Sequence, residues 1–148
     1  MHANEMAEEF PVVEQGSSAL EAARLLAHNR LPGLVVTGED GKPWAILPAS
    51  QVVRFLVPAY VQDDPSLAGV LSESMADHAA DALGGKTVRQ LLPAQRPELP
   101  VVRADDTLIE VAATMARLRC PLAAVVDGGG LVGVITASRL LELALVPH

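Results

Sequence analysis

The segment Phe10-Pro11-Val12-Val13 returns 89 residues later as Leu99-Pro100-Val101-Val102, and the residues after it recur in the same order. At that offset residues 10–37 meet residues 99–126 with nine identities: Pro11, Val12, Val13, Glu21, Ala23, Ala27, Arg30, Pro32 and Val36 each find their own kind. Average composition would give about two. Closing the gap by one residue in the next turn superimposes Ala45-Ile46-Leu47-Pro48-Ala49-Ser50 on Gly133-Val134-Ile135-Thr136-Ala137-Ser138. A period this long exceeds the roughly 20–50 residues of solenoids and propeller blades, so the chain reads as one compact unit of about fifty residues written twice. A unit that small buries too little apolar surface to stand alone, and the two copies are expected to share a core.

Each copy carries the same order of local signals. A short strand at 10–13 is followed by Ser18 and, three residues on, Glu21, a capping-box signature for a helix running to about Asn29; Thr107 and Glu110 repeat it. Ala19, Ala22, Ala23, Leu26 and Ala27 share one helical face, as do Leu108, Val111, Ala112, Met115 and Ala116. Pro32 and Pro121 end these helices ahead of Val-rich strands at 34–37 and 123–127. Asp40-Gly41 and Gly128-Gly129-Gly130 turn each strand back into 43–47 or 131–135, and second helices follow at 49–57 and 137–145. The order per copy is strand, helix, strand, strand, helix, an α/β arrangement. Between the copies, Asp64-Pro65 starts a helical stripe through Leu67, Val70, Leu71, Met75, His78, Ala79, Ala82 and Leu83 that Gly84-Gly85 stops. Thr87–Gln90 begins another short helix, and 93–98 is the one stretch with a flexible composition. The chain thus divides into a first repeat at 8–58, a helical connector at 59–86 and a second repeat at 87–147, forming one module over 1–148.

Composition narrows the partners. Half of the 148 residues are hydrophobic and a fifth charged, which is a globular balance. Most of the net charge of −7 lies outside the recurring segments: residues 10–57 are neutral and residues 99–146 carry −1, whereas residues 1–9 and residues 58–98 carry −3 each. With no basic stripe and 3% aromatic residues, nucleic acid is not an expected partner, whereas a small phosphate-bearing ligand between the repeats is compatible. One cysteine forms no internal disulfide, the start is acidic rather than basic and apolar, and no run of eighteen apolar residues occurs. These point to a cytoplasmic protein with no membrane span.

The tandem unit resembles the paired cystathionine-β-synthase (CBS) domain, or Bateman module. The phrases that carry the resemblance are Leu99-Pro-Val-Val102, Thr107-Leu-Ile-Glu-Val-Ala-Ala-Thr-Met115, Pro121-Leu-Ala-Ala-Val-Val-Asp127 and Leu131-Val-Gly-Val-Ile-Thr-Ala-Ser-Arg-Leu-Leu141. Thr87–Leu92 is similar to the short helix that precedes such a repeat. The resemblance implies a cleft between repeats that takes AMP, ATP or another adenosyl compound, with no cofactor required. It also implies a Gly-x-x-Thr-x-x-Asp phrase whose Thr and Asp hold ribose and phosphate where the third strand meets a helix N-terminus. Here the second copy keeps Gly133 and Thr136 but has Arg139 in place of the Asp, and the first has Ala45, Pro48 and Gln51 in the three places. The ligand-binding set carried over is Ser50 and Gln51 in the first cleft, Thr136, Ser138 and Arg139 in the second, and Pro121 and Leu122. Arg139 cannot accept from a ribose hydroxyl but can pair with a phosphate. The second cleft then either prefers a more anionic ligand, held by Arg139 and Thr136, or is closed by Arg139 pairing with an acid such as Asp127 or Glu142.

Other chemistry-bearing residues have plainer readings. Cys120 matches Leu31 in the repeat, an apolar slot, and reads as structural. His2, His28, His78 and His148 lack ligand-spaced partners for a metal, the three glycines lie between strands rather than before a helix, and no serine has a spaced His and acid. Trp44, opposite Val132, reads as packing in the core or on a dimer surface. The expectation is therefore a non-enzymatic regulatory protein that senses a small ligand, with a ligand-free dimerisation scaffold as the alternative. Apolar second helices point to a homodimer, and a separate enzyme or transporter is the expected regulated partner.

Overall fold

The computed structural model describes residues 1–57, 63–66, 79–95 and 97–146. Most of the connector stripe expected from Leu67 to His78 lies outside the described residues. In chain order the elements are α1 (Ala3–Met6), β1 (Val12–Glu14), α2 (Ala19–Asn29), β2 (Gly33–Thr37), β3 (Pro43–Pro48), α3 (Ala49–Leu56), α4 (Ala79–Leu83), α5 (Val88–Leu91), β4 (Val101–Arg103), α6 (Leu108–Leu118), β5 (Leu122–Asp127), β6 (Gly130–Thr136) and α7 (Ala137–Ala144). Among the described residues no helix is long and apolar enough to cross a membrane.

The local signals act as their chemistry requires. Ser18 Oγ accepts from the Glu21 N–H at 3.3 Å to start α2. Thr107 does the same for α6, where the Glu110 carboxylate returns the bond to the Thr107 N–H at 3.1 Å. Both helices end in a left-handed arginine, Arg30 and Arg119, at φ 53° and 51°. This conformation is uncommon outside glycine and is kept at the same place in both copies. Gly41 closes the first hairpin at φ 77°, and Gly128 and Gly129 form the second at 62° and 86°, as a two-residue loop between Asp127 and Gly130.

Two three-stranded mixed sheets result. In each, the first strand lies parallel to the second across its helix, and the third runs back antiparallel: Val12 faces Val35 and Leu34 faces Leu47, as Val101 faces Ala124 and Ala123 faces Ile135. Strands β2 and β5 are buried on both faces, which is why they read as continuous apolar runs rather than alternating ones. Leu34 and Val36 face a helix-covered core with Leu26 and Leu47, and Ala123 and Val125 face another with Met115 and Ile135. The opposite faces meet each other: Val35, Leu122, Ala124 and Val134 form a third cluster joining the sheets, ringed by Phe10, Ile46, Cys120 and Leu131. This shared layer is what the two half-sized copies need.

The chain ahead of each repeat packs into the other one. Val88 N–H bonds Ser17 O at 2.9 Å and Arg89 N–H bonds Gln15 O at 3.1 Å; likewise Ala3 N–H bonds Asp106 O at 2.8 Å and Asn4 N–H bonds Ala104 O at 3.0 Å. The internal symmetry therefore reaches back to residue 2. Val88 and Leu91 complete the first core, and Ala3 and Met6, both fully buried, complete the second. Sequence patterning shows no element before Phe10, only an acidic start. The structure makes these residues part of the second repeat's interior.

Candidate functional site

The first cleft is open. A cavity of about 350 Å³ lies where β3 hands over to α3, bounded by Ile46, Pro48, Ser50 and Gln51, by Leu92, Pro93 and residues 97–100, and by residues 118–121 of the other copy. That volume falls within the roughly 300–1,000 Å³ of small-molecule sites. Its walls are mostly Leu, Ile and Pro side chains, and its polar groups converge from three directions. Gln51 Nε2 donates to Leu91 O at 2.9 Å, which fixes the amide and leaves Oε1 as an acceptor. Pro48 stands at the N-cap of α3 and has no side chain to cap with. The Ala49 N–H is taken by Pro32 O at 3.0 Å, and Ser50 and Gln51 of the uncapped first turn line the cavity.

Two charges border this cavity and they differ. Glu98 accepts from Arg117 at 2.9 and 3.4 Å. That hydrogen bond, and then the guanidinium's charge, hold its carboxyl below the usual glutamate range and push Arg117 up. The pair is therefore complete above the ordinary carboxylate range and is lost only as pH falls below it. Arg119, exposed at the rim, makes no ion pair among the described residues, so the unneutralised charge at the mouth is positive.

Cys120 lines the same wall half-buried, and burial pushes its thiol up, partly offset by the backbone of Leu122. Replacement by Val is expected to cost under about 1.5 kcal/mol as a near volume-conserving change and to leave ligand response intact. Chemical denaturation with a ligand titration checks both. Raised above its ordinary value, the thiol should alkylate slowly at neutral pH and faster only in alkaline buffer.

The second cleft is engaged with itself. Thr136, which is 7% exposed, accepts the Arg139 N–H at 3.1 Å and lies 3.2 Å from Ser138 Oγ, capping α7 as Pro48 cannot cap α3. Arg139 Nη1 donates to Glu142 at 3.0 Å, and its Nε lies 3.9 Å from the Glu8 carboxylate. Of the two acids the sequence offers, the bond goes to Glu142; Glu8, from the chain's start, is the contact that sequence proximity does not announce. An incoming phosphate held by Arg139 and Thr136 has to compete with bonds already made.

The sequence-derived set thus divides. Ser50, Gln51 and Pro121 border the open cavity, and Thr136, Ser138 and Arg139 lie together in the closed cleft. Leu122 is fully buried between the sheets with its side chain against the Gly33 backbone. Pro121 serves both sides, since its carbonyl accepts the first N–H of α7 at 2.9 Å. Arg119, Leu92 and Pro93 also line this cavity, and the sequence does not mark them; Arg119 is flagged only by its identity with Arg30, and nothing local brings 92–100 across the cleft. Trp44 packs on the first core. Among the described residues no group of three His, Cys, Asp or Glu side chains is placed to hold a metal.

Comparison with known proteins agrees with this architecture. The CBS-domain family profile matches residues 3–58 and 88–145, with the first match beginning at the buried α1. A CBS domain-containing protein of unknown function from Kribbella flavida is 65% identical over 99% of both chains, with a TM-score of 0.89. CBSX2 in complex with AMP is 21% identical with a TM-score of 0.68, over 97% of this chain and 96% of that one. The CBS domain pair of protein MJ0100, in complex with 5′-methylthioadenosine and S-adenosyl-L-methionine, is 18% identical with a TM-score of 0.64, covering 97% and 95%. No functionally curated protein matches the chain. With a profile match on each half, the same strand order in both sheets and a near relative aligned end to end, this protein belongs to the CBS-domain family as a tandem CBS pair.

Proposed function

We propose that this protein is a non-catalytic regulatory subunit that binds one adenosine nucleotide or related adenosyl compound in the first cleft and reports its occupancy to a separate enzyme or transporter. The observation that carries the reading is the asymmetry of the clefts: one is capped and ion-paired within the chain, while the other is an apolar-walled cavity with an uncapped helix start, a free amide oxygen and a positive rim. Apolar walls suit a purine, and Ser50, Gln51 and Arg119 suit ribose and phosphate. That CBSX2 was captured with AMP, and MJ0100 with two adenosyl compounds, supports the ligand class.

A thermal-shift screen against AMP, ADP, ATP and S-adenosylmethionine tests it. A ligand at a hundred times its dissociation constant stabilises by about 2.7 kcal/mol, and at about 2–4 °C per kcal/mol for a chain of this size the melting temperature should rise visibly with at least one of the four. No shift with any of them, at concentrations up to millimolar, sinks the reading and favours the scaffold.

Self-association belongs to either reading. Val53, Phe55, Leu141 and Leu145 are exposed on or beside the second helices, at 59, 37, 57 and 76%, apolar side chains of the kind that self-association covers. Light scattering is expected to give the mass of two chains. A mass of one chain at micromolar concentration would refute the dimer.

A further inference from the structure

We propose that the outer edge of β3, at Ile46, docks a short extended segment of a partner protein, a glycine followed by acidic residues, which adds to the first sheet as an extra strand. This docking needs no adenosine compound in the first cleft, so it gives the protein a place to meet a partner whether it senses a ligand or serves as a scaffold.

The open edge follows from the hydrogen bonding of the two sheets. In the second, Ala124 N–H bonds Pro100 O at 2.8 Å and Val126 O accepts from Ala104 N–H at 3.0 Å. Ala124 and Val126 therefore turn their main-chain groups toward β4, and the alternate residues Ala123 and Val125 turn theirs toward Ile135 and Gly133 on β6. Val134 is left pointing outward, where it exchanges two antiparallel bonds with Glu8, each 2.9 Å. The first sheet has the same register. Thr37 O accepts from Gln15 N–H at 3.3 Å, Leu34 and Val36 turn toward Leu47 and Ala45, and Ile46 is left pointing outward. Pro93 stands where Glu8 does in the other copy, because the bonds of Val88 and Arg89 to Ser17 and Gln15 repeat those of Ala3 and Asn4 to Asp106 and Ala104. Proline has no N–H and cannot make the exchange. The Ile46 N–H and C=O thus have no hydrogen-bond partner among the described residues, and Ile46 lines the open cavity.

A free strand edge on an apolar cavity is a template for one more strand. The second copy shows the geometry of the occupant: extended, antiparallel and bonded at one residue. Two differences between the copies set its sequence. Ala45 stands where Gly133 does, and a Cβ at 133 would meet Ala7 Cβ at 3.0 Å and Glu8 O at 2.9 Å. The residue ahead of the bonded one must then be glycine, and the segment lies slightly further out than Glu8 does. Charge supplies the other difference. Glu98 is already held by Arg117, whereas Arg119 is exposed at the rim with no ion pair among the described residues, so carboxylates following the glycine meet an uncompensated positive charge. A second copy of this chain is not the occupant, because its own leading segment has alanine at that place and is anchored in the second core by buried Ala3 and Met6.

The probe is a synthetic peptide with the sequence of residues 5–12 carrying Ala7→Gly, titrated into the ¹⁵N-labelled protein without nucleotide. The Ile46 amide resonance should move and saturate while that of Val134, already bonded to Glu8, stays in place. N-methylation of the peptide residue that follows the glycine removes the donor to Ile46 O and should weaken binding about tenfold. Arg119→Asn, a residue that tolerates the left-handed backbone, should weaken the acidic peptide about fivefold, the size of an exposed ion pair. The melting temperature monitors folding of this variant. An Ile46 resonance that stays still at millimolar peptide, equal binding of the N-methylated peptide, or unchanged affinity in Arg119→Asn overturns the proposal. None of these results depends on AMP binding in the first cleft.

Discussion

Met6→Ala is expected to destabilise the protein by about 2–5 kcal/mol, the cost of truncating a large side chain in a filled core. For a residue ahead of a domain's first strand, the usual expectation is tolerance. Here Met6 is fully buried among Val102, Val111, Met115, Val125 and Ile135, and the helix that carries it is tied to the second repeat by backbone bonds of its first turn to Asp106 and Ala104 and of Glu8, just after it, to Val134. Leu91→Ala is its counterpart in the first core and should cost a similar amount, because Leu91 is 1% exposed among Leu34, Leu47 and Val88. Glu9→Ala, on an exposed residue of the same leading segment, should stay within about 0.5 kcal/mol. Denaturant midpoints for the three variants measure this. A Met6→Ala protein within error of Glu9→Ala would mean the leading segment is not part of the interior.

The second large effect concerns ligand binding. Ser50→Trp places an indole from an exposed helix position at the mouth of the first cavity. It should weaken binding of whichever adenosine compound the thermal screen identifies by at least about 100-fold, close to 2.8 kcal/mol. Because Ser50 is on the surface of α3, the unliganded melting temperature should shift little. Gln51→Ala should cost nearer tenfold, since it removes one acceptor and the bond to Leu91 that positions it. Arg139→Ala should leave affinity in the parent within about twofold, as no bond of the first cleft passes through it. Calorimetric titration separates the alternatives: a Ser50→Trp protein that still binds, or an Arg139→Ala protein that does not, would move the site to the second cleft.

The Pro48 and Thr136 positions show how local and tertiary information combine here. Their difference is visible in the sequence, and so is its consequence for a helix start, since a hydroxyl caps and a pyrrolidine does not. What the sequence does not reveal is that the uncapped start faces a cavity while the capped one is covered. That depends on where Leu92-Pro93 and Ala7-Glu8 lie, and those segments share no residue identity with each other.

The repeat, the strand, helix, strand, strand, helix order, the capping residues, the hairpin glycines and the Val-rich strands were all determined by the sequence alone, because each is written in neighbours a few residues apart and then written again 89 residues later, or 88 beyond the hairpin turn. The docking of residues 2–8 into the second core, the pairing of Arg139 with Glu142 beside Glu8, and the cavity at the first cleft were decided only by the tertiary structure. A four-residue helix has no periodicity from which to read its partner. The contacts that hold it, Ala3 to Asp106 and Glu8 to Val134, join residues more than a hundred positions apart, and only the packing of the two sheets against each other brings them into reach.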